Sequence, residues 1–153
     1  MARLKLFSAF FILNFGALFI GGLFTGSGVS SDWYNELNQA PWTPAGWVFG
    51  VAWTSIMLCF SFYMSAIYLS ASSRKRIVAL FAIQWILNVS WNPLFFYLHF
   101  TGIALVAIVS LTLVVAYFLY AYRGLRFGRL LILPYLIWLV IASSLNAYIF
   151  FNN

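Results

Sequence analysis

The groups in this 153-residue chain that could do chemistry are tryptophans and amides. Gln84, Asn88 and Asn92, with Trp91, follow the three-and-four spacing of one helix face. Trp138, Ala142 and Asn146 repeat that spacing, with Ser143 and Ser144 beside them, and Gly50, Trp53, Met57 and Ser61 form a third stripe. An amide in hydrocarbon is costly unless hydrogen-bonded, so all three stripes are expected to face inward. Two roles fit them. Indole faces can stack on a flat aromatic guest while amides meet its polar edge, and the same residue types serve as hydrogen-bonding glue between membrane helices.

Other chemistries are poorly supplied. One histidine, His99, and one cysteine, Cys59, lie far apart in sequence and match no familiar zinc or haem-iron spacing. A serine nucleophile would have only His99 as its base, and His99 is expected at a membrane interface. No disulfide can form within the chain, and Cys59 reads as a small buried hydrophobe.

The elements that position these groups follow from composition. The chain is 65% hydrophobic and 7% charged, with a mean hydropathy of +0.98. A soluble fold needs a charged surface, so this is an all-α integral membrane protein. About 20 apolar residues make one spanning helix, and the runs accommodate five, over approximately 5–25, 47–70, 77–97, 103–122 and 130–151, as a single membrane domain over 1–153. The unbroken apolar runs lack the alternation of membrane strands. The first span is too long for a signal-peptide core and is expected to be retained. Its Gly22 and Gly26 form a G-x-x-x-G, a spacing that lets helix backbones approach closely. Pro93 is expected to kink or end the third span, and Pro134 to sit in or near the first turn of the fifth. Apart from Lys5 at the opening of the first, no span carries a charged side chain, which argues against a transporter driven through a buried carboxylate.

Between the first two spans lies the most unusual stretch, Trp33 to Trp53. It holds four of the seven tryptophans and two of the four prolines, Pro41 and Pro44. Both prolines resist helix continuation, and the segment is expected to form a structured lid. Trp53, Trp138 and Asn88 can converge in the half of the bundle beneath it.

Three stretches of the chain resemble the translocator protein family, also called the tryptophan-rich sensory or peripheral-type benzodiazepine receptor family. They are W-Y-x-x-L-x-x-x-P-W-x-P at Trp33 to Pro44 with W-V-F-x-x-x-W at Trp47 to Trp53, N-x-x-W-x-P-x-F-F at Asn88 to Phe96, and P-Y-L-x-W with S-x-L-N between Pro134 and Asn146. The resemblance implies a five-helix bundle, often a homodimer, that binds protoporphyrin IX and haem, sterols, and isoquinoline and benzodiazepine ligands, with no obligatory cofactor and no metal site. It implies a pocket at Trp53, Asn88, Trp91, Trp138, Ala142 and Asn146, and a lid at Trp33, Trp42 and Pro44. It allows receptor or transport roles. As an alternative it allows an enzyme that degrades porphyrin with light and oxygen, in which Trp53 and Trp138 would take part. The family's sterol-associated pattern requires a basic residue after the aromatic one near the end of the fifth helix, and none follows Tyr148 here.

Charge distribution tests the span count independently. With five crossings, Arg3, Lys5, Arg74, Lys75, Arg76, Arg123, Arg126 and Arg129 all fall on one face, and Asp32 and Glu36 on the other. Basic residues are retained on the cytoplasmic side, so the N-terminus is expected in the cytoplasm, with the first loop and the C-terminus opposite. The net charge of +6 then reflects topology and lipid contact, with no nucleic-acid partner. Reporter fusions at residues 36 and 75 should report opposite compartments. The same compartment for both would overturn this topology.

Overall fold

The computed structural model describes residues 2–125 and 127–153. Five helices are long and apolar enough to cross a membrane. They are α1 (Ala2–Val29), α3 (Gly46–Ser70), α4 (Arg74–Asn92) with a π-helical continuation (Pro93–Tyr97), α5 (Thr101–Ala121) and α6 (Gly128–Asn152); a short α2 (Asp32–Glu36) sits in the first loop. Among the described residues there is no strand. The helices close a ring in which α1 packs on α3, α3 on α6, α6 on α5, α5 on α4, and α4 back on α1. Arg3, Lys5, Arg74, Lys75, Arg76, Arg123 and Arg129 lie at one end of this ring and α2 at the other. Arg126, assigned above to the basic face, lies outside the described residues.

The basic half of the ring is solid. Phe60, fully buried on α3, sits with its ring centroid 5.2 Å from Tyr135, 6.1 Å from Tyr63, 6.1 Å from Phe118 and 6.2 Å from Phe81. Lipid tails are as apolar as these side chains, so dispersion and ring geometry hold the packing together rather than expulsion of water. Each edge-to-face pair adds about 0.5–1.5 kcal/mol. The phenol hydroxyls are satisfied inside: Tyr63 donates to the Phe118 carbonyl at 2.8 Å, and Tyr135 accepts from Gln84 Nε2 at 2.8 Å.

Several sequence expectations change. The first helix runs on to Val29 rather than ending near 25. In its glycine-rich end the hydroxyls of Thr25, Ser27 and Ser30 bond back to carbonyls one turn earlier, which keeps polar side chains satisfied within the helix. Pro134 lies inside α6, because that helix starts at Gly128; its missing N–H falls in the second turn. Gly50 does not face inward with Trp53, Met57 and Ser61 but is exposed. Pro93 behaves as expected and more specifically: the chain widens into a π turn, in which the Leu98 N–H donates to the Pro93 carbonyl at 2.9 Å.

The close helix approaches in α1 are also not at the expected glycines. Gly22 and Gly26 face open space, whereas a Cβ on Gly21 would stand 2.6 Å from the Asn92 amide and one on Gly28 would stand 2.4 Å from the Phe96 ring. A seven-residue spacing, not a four-residue one, brings α1 against α4 and its π turn. Gly28→Ala should therefore destabilise the detergent-solubilised protein by about 1–3 kcal/mol through overpacking. Gly22→Ala on the same helix should be neutral or stabilising, by up to about 1 kcal/mol. Thermal unfolding of the two variants side by side checks this, and equal melting temperatures would contradict it.

Candidate functional site

Above the aromatic plug, at the loop end, the ring holds a small cavity of about 40 Å³. Trp91, Phe95 and Phe96 wall it from α4 and the π turn, Ala142, Leu145, Asn146 and Ile149 from α6, Phe49 from α3, and Tyr34 and Thr43 from the loop. The π turn matters here because its wider coil sets Phe95 and Phe96 inward as consecutive residues, 3% and 9% exposed. The Trp91 and Phe95 rings lie nearly parallel, 20° apart with centroids at 5.5 Å, so the wall presents flat faces.

The amide stripes are engaged in holding helices together. Asn146 accepts from Trp91 Nε1 at 3.0 Å and donates to the Thr101 carbonyl at 2.9 Å, tying α6 to α4 and α5 at once. Asn92 accepts from the Thr25 hydroxyl at 2.7 Å and donates to the Asn88 carbonyl. Asn14, which the stripes did not include, donates to Ser61 Oγ at 2.9 Å and joins α1 to α3. Two buried polar atoms have no partner among the described residues: Gln84 Oε1 and Trp138 Nε1. Both lie near mid-helix, below the cavity.

The loop covers the cavity and is pinned to the bundle through Trp33, Asn38 and Trp42. Ser31 caps α2 by accepting from the Tyr34 N–H. Trp33 stacks on His99 with centroids 3.9 Å apart and planes within 11°, and meets Phe95 edge-on. His99 holds a left-handed backbone, φ 56°, at the corner after the π turn, a conformation uncommon for a residue with a side chain. In mid-loop, Asn38 and Asn153 exchange backbone and side-chain hydrogen bonds, so the C-terminus lies on the loop face. Further on, Pro41 sits in a turn closed by Thr43 N–H to the Ala40 carbonyl at 2.9 Å. That turn delivers Trp42, whose Nε1 donates to Ser144 Oγ at 3.1 Å and whose ring meets Tyr148 edge-on. Pro44 is half-buried just before α3.

Of the expected pocket positions, Trp91, Ala142 and Asn146 line the cavity. Trp53, Asn88 and Trp138 do not reach it. Trp53 packs edge-on to Tyr135 and Trp138 edge-on to Phe49, both beneath the floor, while Asn88 is buried one turn before Asn92. Phe49, Leu145 and Ile149 were missed, although they fall one turn from Trp53, Ala142 and Asn146 on the same faces and could have been included. Tyr34 and Thr43 gave no periodic signal, since the loop that carries them has none. Burial pushes the Tyr34 phenol above its usual value.

The sequence profile of the TspO/MBR family matches residues 9–151. The chain is 35% identical over 117 residues to a tryptophan-rich sensory protein of Cereibacter sphaeroides, covering 75% of this chain and 73% of that one. It is 34% identical over 137 residues to the tryptophan-rich protein TspO of Archaeoglobus fulgidus, covering 88% of each. It is 31% identical over 140 residues to the translocator protein of Bos taurus, covering 88% of this chain and 82% of that one. With five spanning helices, an aromatic lid and a match over nearly its whole length, this chain belongs to the TspO/MBR family.

Proposed function

We propose that this chain is a membrane receptor for tetrapyrroles, protoporphyrin IX or haem, which it takes up beneath the first loop as a step in their movement or sensing. The observation that carries the reading is a cavity walled by flat aromatic faces, with a buried Trp138 N–H left unspent below it. Ring faces suit a planar conjugated guest, and a desolvated indole N–H suits an acceptor on that guest. Smaller planar ligands of the isoquinoline and benzodiazepine type would use the same faces. The names of the relatives, sensory protein and translocator protein, agree with a binding role.

The residues lining the cavity include no His, Cys or Met, and burial keeps the Tyr34 phenol neutral. These residues would offer a bound tetrapyrrole ring faces and amide edges. Ligand pockets measure about 300–1,000 Å³, so a cavity of about 40 Å³ must enlarge before a tetrapyrrole enters. The loop is the part able to lift, since its polar pins are few and lie at the edge of the bundle, and the Phe49 ring, which meets Trp138 edge-on, must swing aside for the guest to reach the indole N–H. The guest enters a blind pocket, because Phe60 and its ring neighbours fill the basic half.

Trp138→Phe tests the site. It removes a buried donor that has no partner, so the ligand-free protein should keep its thermal stability to within about 1 kcal/mol. The protoporphyrin concentration that half-quenches the remaining tryptophans should rise about tenfold, the worth of one hydrogen bond of about 1.4 kcal/mol. Unchanged quenching would remove Trp138 from the site and the reading with it. The lid is tested by Ser144→Ala, which deletes the acceptor of Trp42. Stopped-flow quenching should show porphyrin entering and leaving roughly two- to tenfold faster at nearly constant affinity. Unchanged entry and exit rates, or faster exit without faster entry so that affinity falls, would contradict a lid that opens.

A further inference from the structure

At the opposite end of the bundle a larger groove, about 370 Å³, runs between the end of α5 and the start of α6. Its floor is Ala116, Leu119 and Leu133, and its mouth is Tyr120, Arg123 and Arg129. The floor residues are half-buried, while Tyr120 and both arginines are exposed. The two ends of this groove call for different chemistry. The floor lies within the spanning segments and offers only hydrocarbon, whereas the mouth carries two permanent positive charges.

Neither charge is neutralised by the protein. Both acidic residues of the chain are in α2, and the C-terminus lies on that same loop face, a bundle length away. Arg123 rests its guanidinium 5.3 Å over the Tyr120 ring, which fixes its position without consuming its charge. Arg129 makes no hydrogen bond or ion pair among the described residues. By contrast, Arg76 donates to the Tyr117 hydroxyl and stacks on that ring, and Arg74 stacks on Tyr68; neither of these two lines the groove.

We propose that this groove binds an anionic phospholipid of the leaflet that faces the basic end, with its phosphate between Arg123 and Arg129 and an acyl chain along Ala116, Leu119 and Leu133. Guanidinium pairs with phosphate through charge-assisted hydrogen bonds, and basic recesses between membrane helices are suited to acidic headgroups. An apolar floor continuous with a basic mouth distinguishes a lipid from a free anion, which would use only the mouth.

The full-length protein is reconstituted in phosphatidylcholine vesicles containing a minor share of phosphatidylglycerol, gently extracted, and its bound lipid counted by native mass spectrometry. Phosphatidylglycerol should be retained in preference to phosphatidylcholine, and excess inorganic phosphate should fail to displace it. Replacing both groove arginines, Arg123→Gln with Arg129→Gln, should reduce retention roughly tenfold or more. Arg74→Gln with Lys75→Gln, which removes equal charge from the same face outside the groove, should leave it unchanged. Ala116→Trp, which fills the floor with both arginines intact, should lower retention as well, and Leu133→Ser, which makes the floor polar without adding bulk, should do the same. Equal retention of the two lipids, equal loss from the two double variants, or full retention in both floor variants would overturn the proposal. Displacement by inorganic phosphate would overturn it in favour of a free-anion site.

Discussion

The architecture depends on one constraint, that inside a bilayer polar groups must find their partners within the protein, as all the buried side-chain polar atoms among the described residues do except Gln84 Oε1 and Trp138 Nε1. Asn146 meets it most completely, accepting from Trp91 and donating to the Thr101 carbonyl, so a single side chain fixes the distances among α4, α5 and α6. Asn14 with Ser61 and Thr25 with Asn92 do the same where α1 meets α3 and α4, and Gln84 with Tyr135 ties α4 to α6 across the ring. Because packing in lipid gains little from hydrophobicity, these directional bonds restrict an arrangement that bare apolar surfaces would leave degenerate, while α3 meets α6 through ring contacts such as Trp53 and Phe60 on Tyr135. They also divide the two roles open to the amides: Asn146 and Trp91 line the cavity, yet their hydrogen-bonding atoms are spent on neighbouring helices.

The two halves of the ring have consequently different properties. Aromatic rings around Phe60 fill the basic half, while the loop half narrows only where Phe95, Phe96 and the lid come in from the side. The π turn created by Pro93 is the device that separates them. It turns two successive phenylalanines inward and is followed at the next corner by His99, whose ring is a platform for Trp33. A pocket built on this plan opens toward the loop face. The aromatic wall of the cavity and the platform under its cover therefore both follow the same proline.

The ends are as unlike as the halves. The loop end carries both carboxylates and a cover held by neutral hydrogen bonds and ring stacking; the other carries only cations, several of them resting on tyrosine rings. A tyrosine belt that supports guanidinium groups at the membrane boundary keeps their charge available to phosphates. One chain thus presents a planar aromatic recess to one side of the membrane and a cationic, lipid-like recess to the other.

The sequence by itself determined the membrane class, the five spans, the segregation of charge between two faces and the family, because each rests on composition, on run length or on motifs that survive reading in one dimension. It also located the break at Pro93, whose missing N–H acts locally. It did not determine where α1 ends, since serine and threonine hydroxyls can satisfy themselves within a helix and so fail to mark its terminus. Nor could it choose Gly21 and Gly28 over Gly22 and Gly26, because that choice depends on which face of α1 meets Asn92 and Phe96. Only the tertiary structure decided that Trp53 and Trp138 lie beneath the cavity while Tyr34, Thr43 and Phe49 line it. Helical spacing tells which residues share a face; the height at which facing helices meet, and where an aperiodic loop folds over them, is fixed by contacts between segments distant in the chain.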